Sequence, residues 1–224
     1  MTVKAVVFDV DNTLIDSNAM FEKFTEHLIE HHCESEPLSE KRRMLALLMD
    51  SFQSGNKPRK IWVKEASLLL KGDSDAIADE IYQDWYDHFA DYCVRKDNLY
   101  SVLEEIRMRG FKLGIITNGM SYMQNRKIDK ANLRSYVDVV FVSGEFGVDK
   151  PDVRIFHAAL QQLEVLPQEA VYVGDHPVND VQGAREAGMR PVWVEGFQPW
   201  DPSVKKPEFT IQTLPELLPL LHSI

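Results

Sequence analysis

The sequence predicts a doubly wound parallel α/β sheet carrying an inserted helical domain, and three observations support this. Short β-rich runs end in polar or glycine residues and alternate with helical patterns. Connections between the later runs have the length of a crossover helix. The first two runs, by contrast, are separated by about a hundred residues, where a plain crossover unit needs only ~30. The chain has 224 residues, 44% of them hydrophobic, enough for one sizeable core and a smaller accessory domain.

The first run spans residues 3–8. The insertion then shows helical periodicity in three places: Met20, Phe21, Phe24 and Leu28; Leu45, Leu48, Met49 and Phe52; Ile77, Ile81, Trp85 and Phe89. After it comes a helix with Leu99, Val102, Leu103 and Ile106 on one face, then runs at 111–116 and 137–142. A helix over 151–163 places Ile155, Phe156, Ala159, Leu160 and Leu163 together, with Pro151 at its first position, and runs at 170–173 and 191–194 follow. A proline-rich stretch from Pro199 to Pro207 leads to a short helix near 214–221, expected on the edge or flank of the sheet. These patterns place a core at residues 1–17 and 93–224 and a helical domain at 18–92, with no internal repeat.

Acidic residues outnumber basic ones by 35 to 25, a formal charge of -10, and no long Lys/Arg run offers a surface for a polyphosphate backbone, so nucleic acid is not an expected partner. The opening apolar run is too short for a secretory leader, and no run is long enough to cross a bilayer. Cys33 and Cys93, far apart in apparent helices, read as reduced thiols rather than a disulfide or metal pair, and the expected setting is cytoplasmic. Oligomeric state leaves no trace in the sequence.

Polar clusters follow the strand runs, and in an open parallel sheet ligands bind at that edge. The first is Asp9-Val10-Asp11-Asn12-Thr13, where the two-residue spacing lets both carboxylates address one site. Taken alone, the pair is as often two solvated aspartates in a turn. The second is Thr117-Asn118-Gly119, whose hydroxyl and amides can donate to phosphate oxygens, although Asn-Gly after a strand is commonly just a turn. The third is Lys150-Pro151, which would set an ammonium beside a helix start. The fourth, Gly174-Asp175-His176-Pro177-Val178-Asn179-Asp180, supplies two carboxylates of the kind that hold magnesium together with water and phosphate.

In this order the four clusters resemble the haloacid dehalogenase superfamily, over residues 8–194, and the insertion is similar to the cap that many members carry. Closest in pattern are capped phosphatases of acylneuraminate phosphates, phosphoglycolate, sugar phosphates and nucleotides. The resemblance implies a Rossmann-like core and a phosphoric monoester hydrolase, since phosphatases of the family carry a carboxylate where Asp11 stands and dehalogenases do not. Asn12 stands where glycine is often found. The resemblance further implies Asp9 as nucleophile, Asp11 as acid and base, and Thr117, Asn118 and Lys150 as phosphate ligands. Mg2+ would lie on Asp9, the Asp11 main chain and Asp175, with Asp180 close behind. To donate a proton Asp11 must hold one near neutral pH, through burial under a closed cap and neighbouring carboxylates. His176 carries over no role, and is as readily a satisfied loop histidine as a substrate contact.

The expected substrate is a small phosphorylated metabolite: a sugar phosphate, a sugar-acid phosphate or a nucleotide. Lys57, Arg59, Lys60 and Lys64 around Trp62 could face an anionic leaving group, but the stronger expectation makes Ile61 and Trp62 core and the charges a solvated face. His27, His31 and His32 read as surface residues without a metal cluster. A phosphomutase shares the same machinery and is an alternative. A receiver-type signalling protein is another, disfavoured by chain length, by the insertion and by Asp9 on the first strand.

Overall fold

A computed structural model describes residues 2–52, 57–70 and 75–223. The chain divides into two compact units, Met1–Asp16 with Arg95–Ile224, and Ser17–Val94. In chain order the strands are β1 (Ala5–Phe8), β2 (Lys112–Thr117), β3 (Val139–Val142), β4 (Ala170–Gly174), β5 (Arg190–Val194) and β6 (Phe209–Ile211). The helices are α1 (Ser17–His32), α2 (Leu38–Phe52), α3 (Arg59–Leu70), α4 (Asp75–His88), α5 (Leu99–Met108), α6 (Ser121–Lys130), α7 (Ser143–Phe146), α8 (Val153–Leu163), α9 (Gly183–Glu186) and α10 (Leu217–Ser223).

In the first unit the strands form one six-stranded parallel sheet in the order β3-β2-β1-β4-β5-β6. The chain therefore winds one way from β1 through β2 to β3, and the other way from β4 outward. That reversal opens a crevice beyond the carboxyl ends of β1 and its neighbours, the place where such sheets bind ligands. Registration makes the ends level: Phe8 pairs with Ile115 on one side and Val173 on the other. β1 is buried throughout, as a central parallel strand covered on both faces should be. On one face α8 contributes Ile155, Phe156, Ala159, Leu160 and Leu163, and these join Val7, Ile116 and Tyr172 in a single apolar cluster.

One expectation in this unit needs correction. Helix α8 begins at Val153, not at Pro151, because Asp152 caps it by accepting from the Arg154 amide. The sheet also has a sixth strand, β6, in the gap left unassigned between the proline-rich stretch and the C-terminal helix. Only three residues long, it is too short for periodicity to show, and pairing with β5 defines it.

The second unit is helical, and its apolar faces meet in an aromatic core. Phe21 stacks on Phe52 with ring centroids 3.5 Å apart, while Trp62 meets Phe21 edge-on at 4.8 Å. Met20, Phe21, Phe24 and Leu28 are all buried as their period requires. In α2 the buried set is Met44, Leu48 and Phe52, with Leu45 and Met49 only half-buried, so the inward face is rotated from the expected one. Ile77 is likewise half-buried, and Ala78 takes its place.

The stretch around Trp62 forms α3 and divides its residues. Trp62 is fully buried, whereas Ile61 is 52% exposed and is not core. The Arg59 guanidinium lies within 6.0 Å of five rings, the nearest being Trp85 at 4.8 Å, and Lys57 pairs with Glu65. Lys60 and Lys64 are exposed. Of the histidines, His32 is buried rather than on the surface, and α4 brings acidic partners that spacing could not reveal: Asp84 to His27 and Glu80 to His31. His31, His32 and Glu80 place ligand-type atoms within 4.8 Å of one another. Cys33 and Cys93 lie just beyond helical segments rather than inside them, and the Cys33 thiol donates to the Leu70 carbonyl. Among the described residues no helix is long and apolar enough to cross a membrane.

Candidate active site

Asp9 is the first residue past β1, and its amide still donates to Val173 O of β4 at 2.9 Å, which anchors it to the sheet edge. The chain then turns sharply, with three successive amides, of Thr13, Leu14 and Ile15, donating to Val10 O. The turn requires a left-handed residue, and Asn12 supplies it with φ of 60°. Asparagine and glycine tolerate that region best, which explains why either fits here. The Asn12 side chain also donates to Asp175 Oδ2 at 3.4 Å, tying the first cluster to the fourth.

The centre of the site is a buried ammonium among carboxylates. Lys150 Nζ donates to Asp9 Oδ1 and Asp180 Oδ1, both at 2.7 Å, and to the Tyr172 hydroxyl at 2.8 Å. Asp180 accepts the His176 amide on its other oxygen at 2.9 Å. Carboxylate oxygens of Asp9, Asp175 and Asp180 lie within 4.8 Å of one another. Burial pushes the Asp9 carboxyl up to about 7, with Asp180 and Asp11 adding to the rise and Lys150 opposing it. Asp175 is likewise held well above the usual carboxylate range, by burial first and then by Asp180 and Asp9. For Lys150 burial acts to lower the pKa, but Asp180 and Asp9 outweigh it and keep the ammonium charged. One cation thus faces three buried acids, a surplus of negative charge that an oxygen-loving divalent cation would neutralise.

Thr117 ends β2 with its hydroxyl buried and without a hydrogen-bond partner among the described residues, as a donor reserved for a ligand oxygen would be. The Asn118 side chain is committed elsewhere: it donates to Lys150 O at 2.9 Å and accepts from Lys150 N at 2.8 Å, so it positions the lysine loop, and any phosphate contact would fall to its main chain. The Lys150 ammonium is placed by this loop and by its three partners, not by a helix start at Pro151. His176 is structural, its Nδ1 accepting from the Val178 and Asn179 amides at 3.2 Å. Burial lowers its pKa, which suits an accepting imidazole.

Asp11 is held by side chains from α6. Its carboxylate is bonded by Lys127 Nζ at 2.8 and 3.0 Å and by Gln124 Nε2 at 2.8 Å, and its side chain is 29% exposed. An ammonium and an amide thus bond it, and its charge also acts on the neighbouring Asp9 carboxyl. Sequence reasoning missed Gln124, Lys127 and Tyr172. The available signal was that Gln124 and Lys127 share the inward face of α6 with Met123 and Ile128, where polar residues are out of place.

A family model described as haloacid dehalogenase-like hydrolase matches residues 6–194, which include all four clusters. The chain belongs to that family. Along nearly its whole length it is similar to the glyceraldehyde 3-phosphate phosphatase of Methanopyrus kandleri, 31% identical over 99% of this chain and 98% of the relative. The N-acylneuraminate-9-phosphatase of Mus musculus is 30% identical over 99% of this chain and 95% of its own. A shorter match, 44% identical over 51% of this chain, covers 46% of the phosphoserine phosphatase of Thermus thermophilus. Among solved structures, a phosphatase of this superfamily from Thermococcus onnurineus superposes with a TM-score of 0.65 at 27% identity, covering 98% of both chains. YfnB from Bacillus subtilis reaches a TM-score of 0.75 at 24% identity over 99% of each chain, a likeness of fold. This member of the family is a phosphoric monoester hydrolase with a Rossmann-like core.

Gly174 offers a direct test of the geometry. A Cβ there would overlap the Asp180 side chain, which would have to abandon Lys150 and the His176 amide. Gly174→Ala is therefore expected to lower kcat by ~10²-fold or more, the scale set by displacing a site group by about 1 Å, while circular dichroism shows the fold retained.

Proposed function

We infer that this enzyme hydrolyses small phosphate monoesters with magnesium, through a phosphoryl group carried on Asp9. The observation that carries the reading is the buried Asp9, anchored at the end of β1 by Lys150 and crowded by Asp175 and Asp180, with Asp11 two residues on. The side chains of Asp9 and Asp175 and the Asp11 main-chain oxygen would hold the ion, and Asp180, bonded to Lys150, would steady them. Bound there, magnesium supplies the positive charge that offsets repulsion between Asp9 and a dianionic phosphate.

The chain's own residues then divide the reaction in two. Asp9 forms an oxygen–phosphorus bond as the ester oxygen departs, and Asp11 gives that alkoxide a proton. Asp11 next takes a proton from the water that attacks phosphorus, the Asp9–phosphorus bond breaks, and inorganic phosphate leaves. Lys150 holds one Asp9 oxygen in place throughout, and Thr117 donates to the phosphoryl oxygens. The helical unit, Ser17–Val94, is the part of the chain that we assign to a cap selecting the leaving group. The substrate class is a sugar phosphate, a sugar-acid phosphate or a nucleotide, and the test is release of free phosphate from a panel of such esters with magnesium present. No release from any ester would overturn the reading.

The metal assignment predicts a pH dependence. An acid whose pKa is raised on folding, as with Asp9 from 3.8 to about 7, binds more protons folded than unfolded between those values, so stability falls as pH rises through that window. Asp175 shifts in the same direction. The chelated protein is expected to melt higher at pH 5.5 than at pH 8. Magnesium is expected to raise the midpoint more at pH 8, above the Asp9 value of about 7, where that carboxylate is ionised. Differential scanning fluorimetry at both pH values checks this, and an equal magnesium increment at both would count against the site.

A further inference from the structure

Helix α6 is the next element after β2, which ends in Thr117, and its two inward polar residues both end on Asp11. Lys127 is 6% exposed and Gln124 4%, so neither is a solvent-facing side chain that met Asp11 by chance. Lys127 Nζ reaches both Asp11 oxygens, at 2.8 and 3.0 Å, and Gln124 Nε2 reaches Oδ2 at 2.8 Å. Gln124 is itself oriented, because the same Nε2 donates to Asn118 O at 2.7 Å, while its Oε1 is buried without a partner among the described residues. A side chain chosen only for packing would not leave a buried carbonyl oxygen unbonded in order to keep its NH2 on Asp11. Gly119 makes room for this arrangement: a Cβ there would lie 2.8 Å from Gln124 Nε2 and 3.0 Å from its Cγ.

We propose that Lys127 and Gln124 are positioning residues that hold the Asp11 carboxyl in register with the phosphate loop. The proposal rests on the assignment of Asp11 as acid and base. Its physical content is that two consecutive elements, β2 and α6, carry both Thr117 and the two groups that aim Asp11. The distance from the proton carrier to the phosphoryl group is thereby set within a single strand–helix pair instead of by a side chain free to swing. Proton transfer to a leaving group is steeply sensitive to such placement.

The experiment uses two esters of different leaving group, p-nitrophenyl phosphate, whose phenolate departs without a proton, and β-glycerol phosphate, whose alkoxide needs one. Phosphoenzyme formation is followed by rapid quench in the full-length, magnesium-loaded protein. Lys127→Met and Gln124→Leu are each expected to slow it ~10–100-fold with β-glycerol phosphate and by less than ~3-fold with p-nitrophenyl phosphate, the second ester reporting that the site is still assembled. In an Asp11→Asn background the same substitutions are expected to add nothing, since they act through Asp11. Gln124→Leu, which removes no charge, decides the matter should Lys127→Met fail to fold. Equal losses on both esters, no loss on either, or full additivity with Asp11→Asn would overturn the positioning role. If Asp11→Asn alone slows both esters equally, the acid assignment falls and the positioning role with it. A selective Asp11→Asn beside unselective Lys127 and Gln124 variants overturns only the latter.

Discussion

Asp9→Asn is expected to fold normally and to lose turnover by at least ~10⁴-fold, the scale on which enzymes respond to removal of a covalent nucleophile. The substitution keeps the shape of the side chain, so the β1 end and its Val173 hydrogen bond should persist. It also removes one of three clustered buried carboxylates, one of the two that bond the Lys150 ammonium, which relieves crowding. The metal-free variant is therefore expected to melt no lower than the parent at pH 8, so that lost activity cannot be blamed on lost structure. Rapid-quench assays with p-nitrophenyl phosphate should show no burst, and a beryllium fluoride adduct should form on the parent only. Retention of more than about one per cent of activity would mean that another group takes the phosphoryl.

Lys150→Met is expected to be the most destabilising single change at the site. Lys150 is 4% exposed and donates to Asp9, Asp180 and Tyr172 at once, so the thioether leaves two buried carboxylates without their cation. Breaking a buried ion pair from one side costs about 3–5 kcal/mol. The cost also has a sign in pH. Without the ammonium, Asp9, which burial already pushes up to about 7, avoids buried charge only by taking up a proton, so the penalty should shrink at pH 5.5 and be full at pH 8. Urea denaturation of parent and variant at both pH values measures it, and a gap that is equal or wider at pH 5.5 would contradict this account. Activity should be lost as well, because Asp9 loses the bond that holds Oδ1.

The clusters after the strands were legible because a parallel sheet imposes its own grammar: an apolar run, then polar residues at the carboxyl end. Asp9, Thr117, Lys150, Asp175 and Asp180 could be picked out on that basis, and Lys150 bonds Asp9 and Asp180 while Asp175 lies beside them. Side-chain commitments were not legible. The Asn118 side chain pairs with the Lys150 main chain, a commitment that no local pattern reveals because the partner lies 32 residues away. Tyr172, an ordinary strand residue to any pattern search, holds Lys150 through a hydroxyl that also donates to Ile116 O.

What the sequence determined by itself was periodicity and order: which runs are strands, where a helical unit interrupts them, and which carboxylates follow which strand. Those features are local, decided by residues within a turn or two of one another. Only the tertiary structure decided the pairings. It sets Asn12 against Asp175, 163 residues apart, and Lys127 against Asp11, 116 apart. It rotates the inward face of α2 to Met44 and defines β6 by its neighbour. The physical reason is the same in each case: a buried polar group must find a partner, and which partner it finds depends on how the chain returns past β1, not on what stands beside it in the sequence.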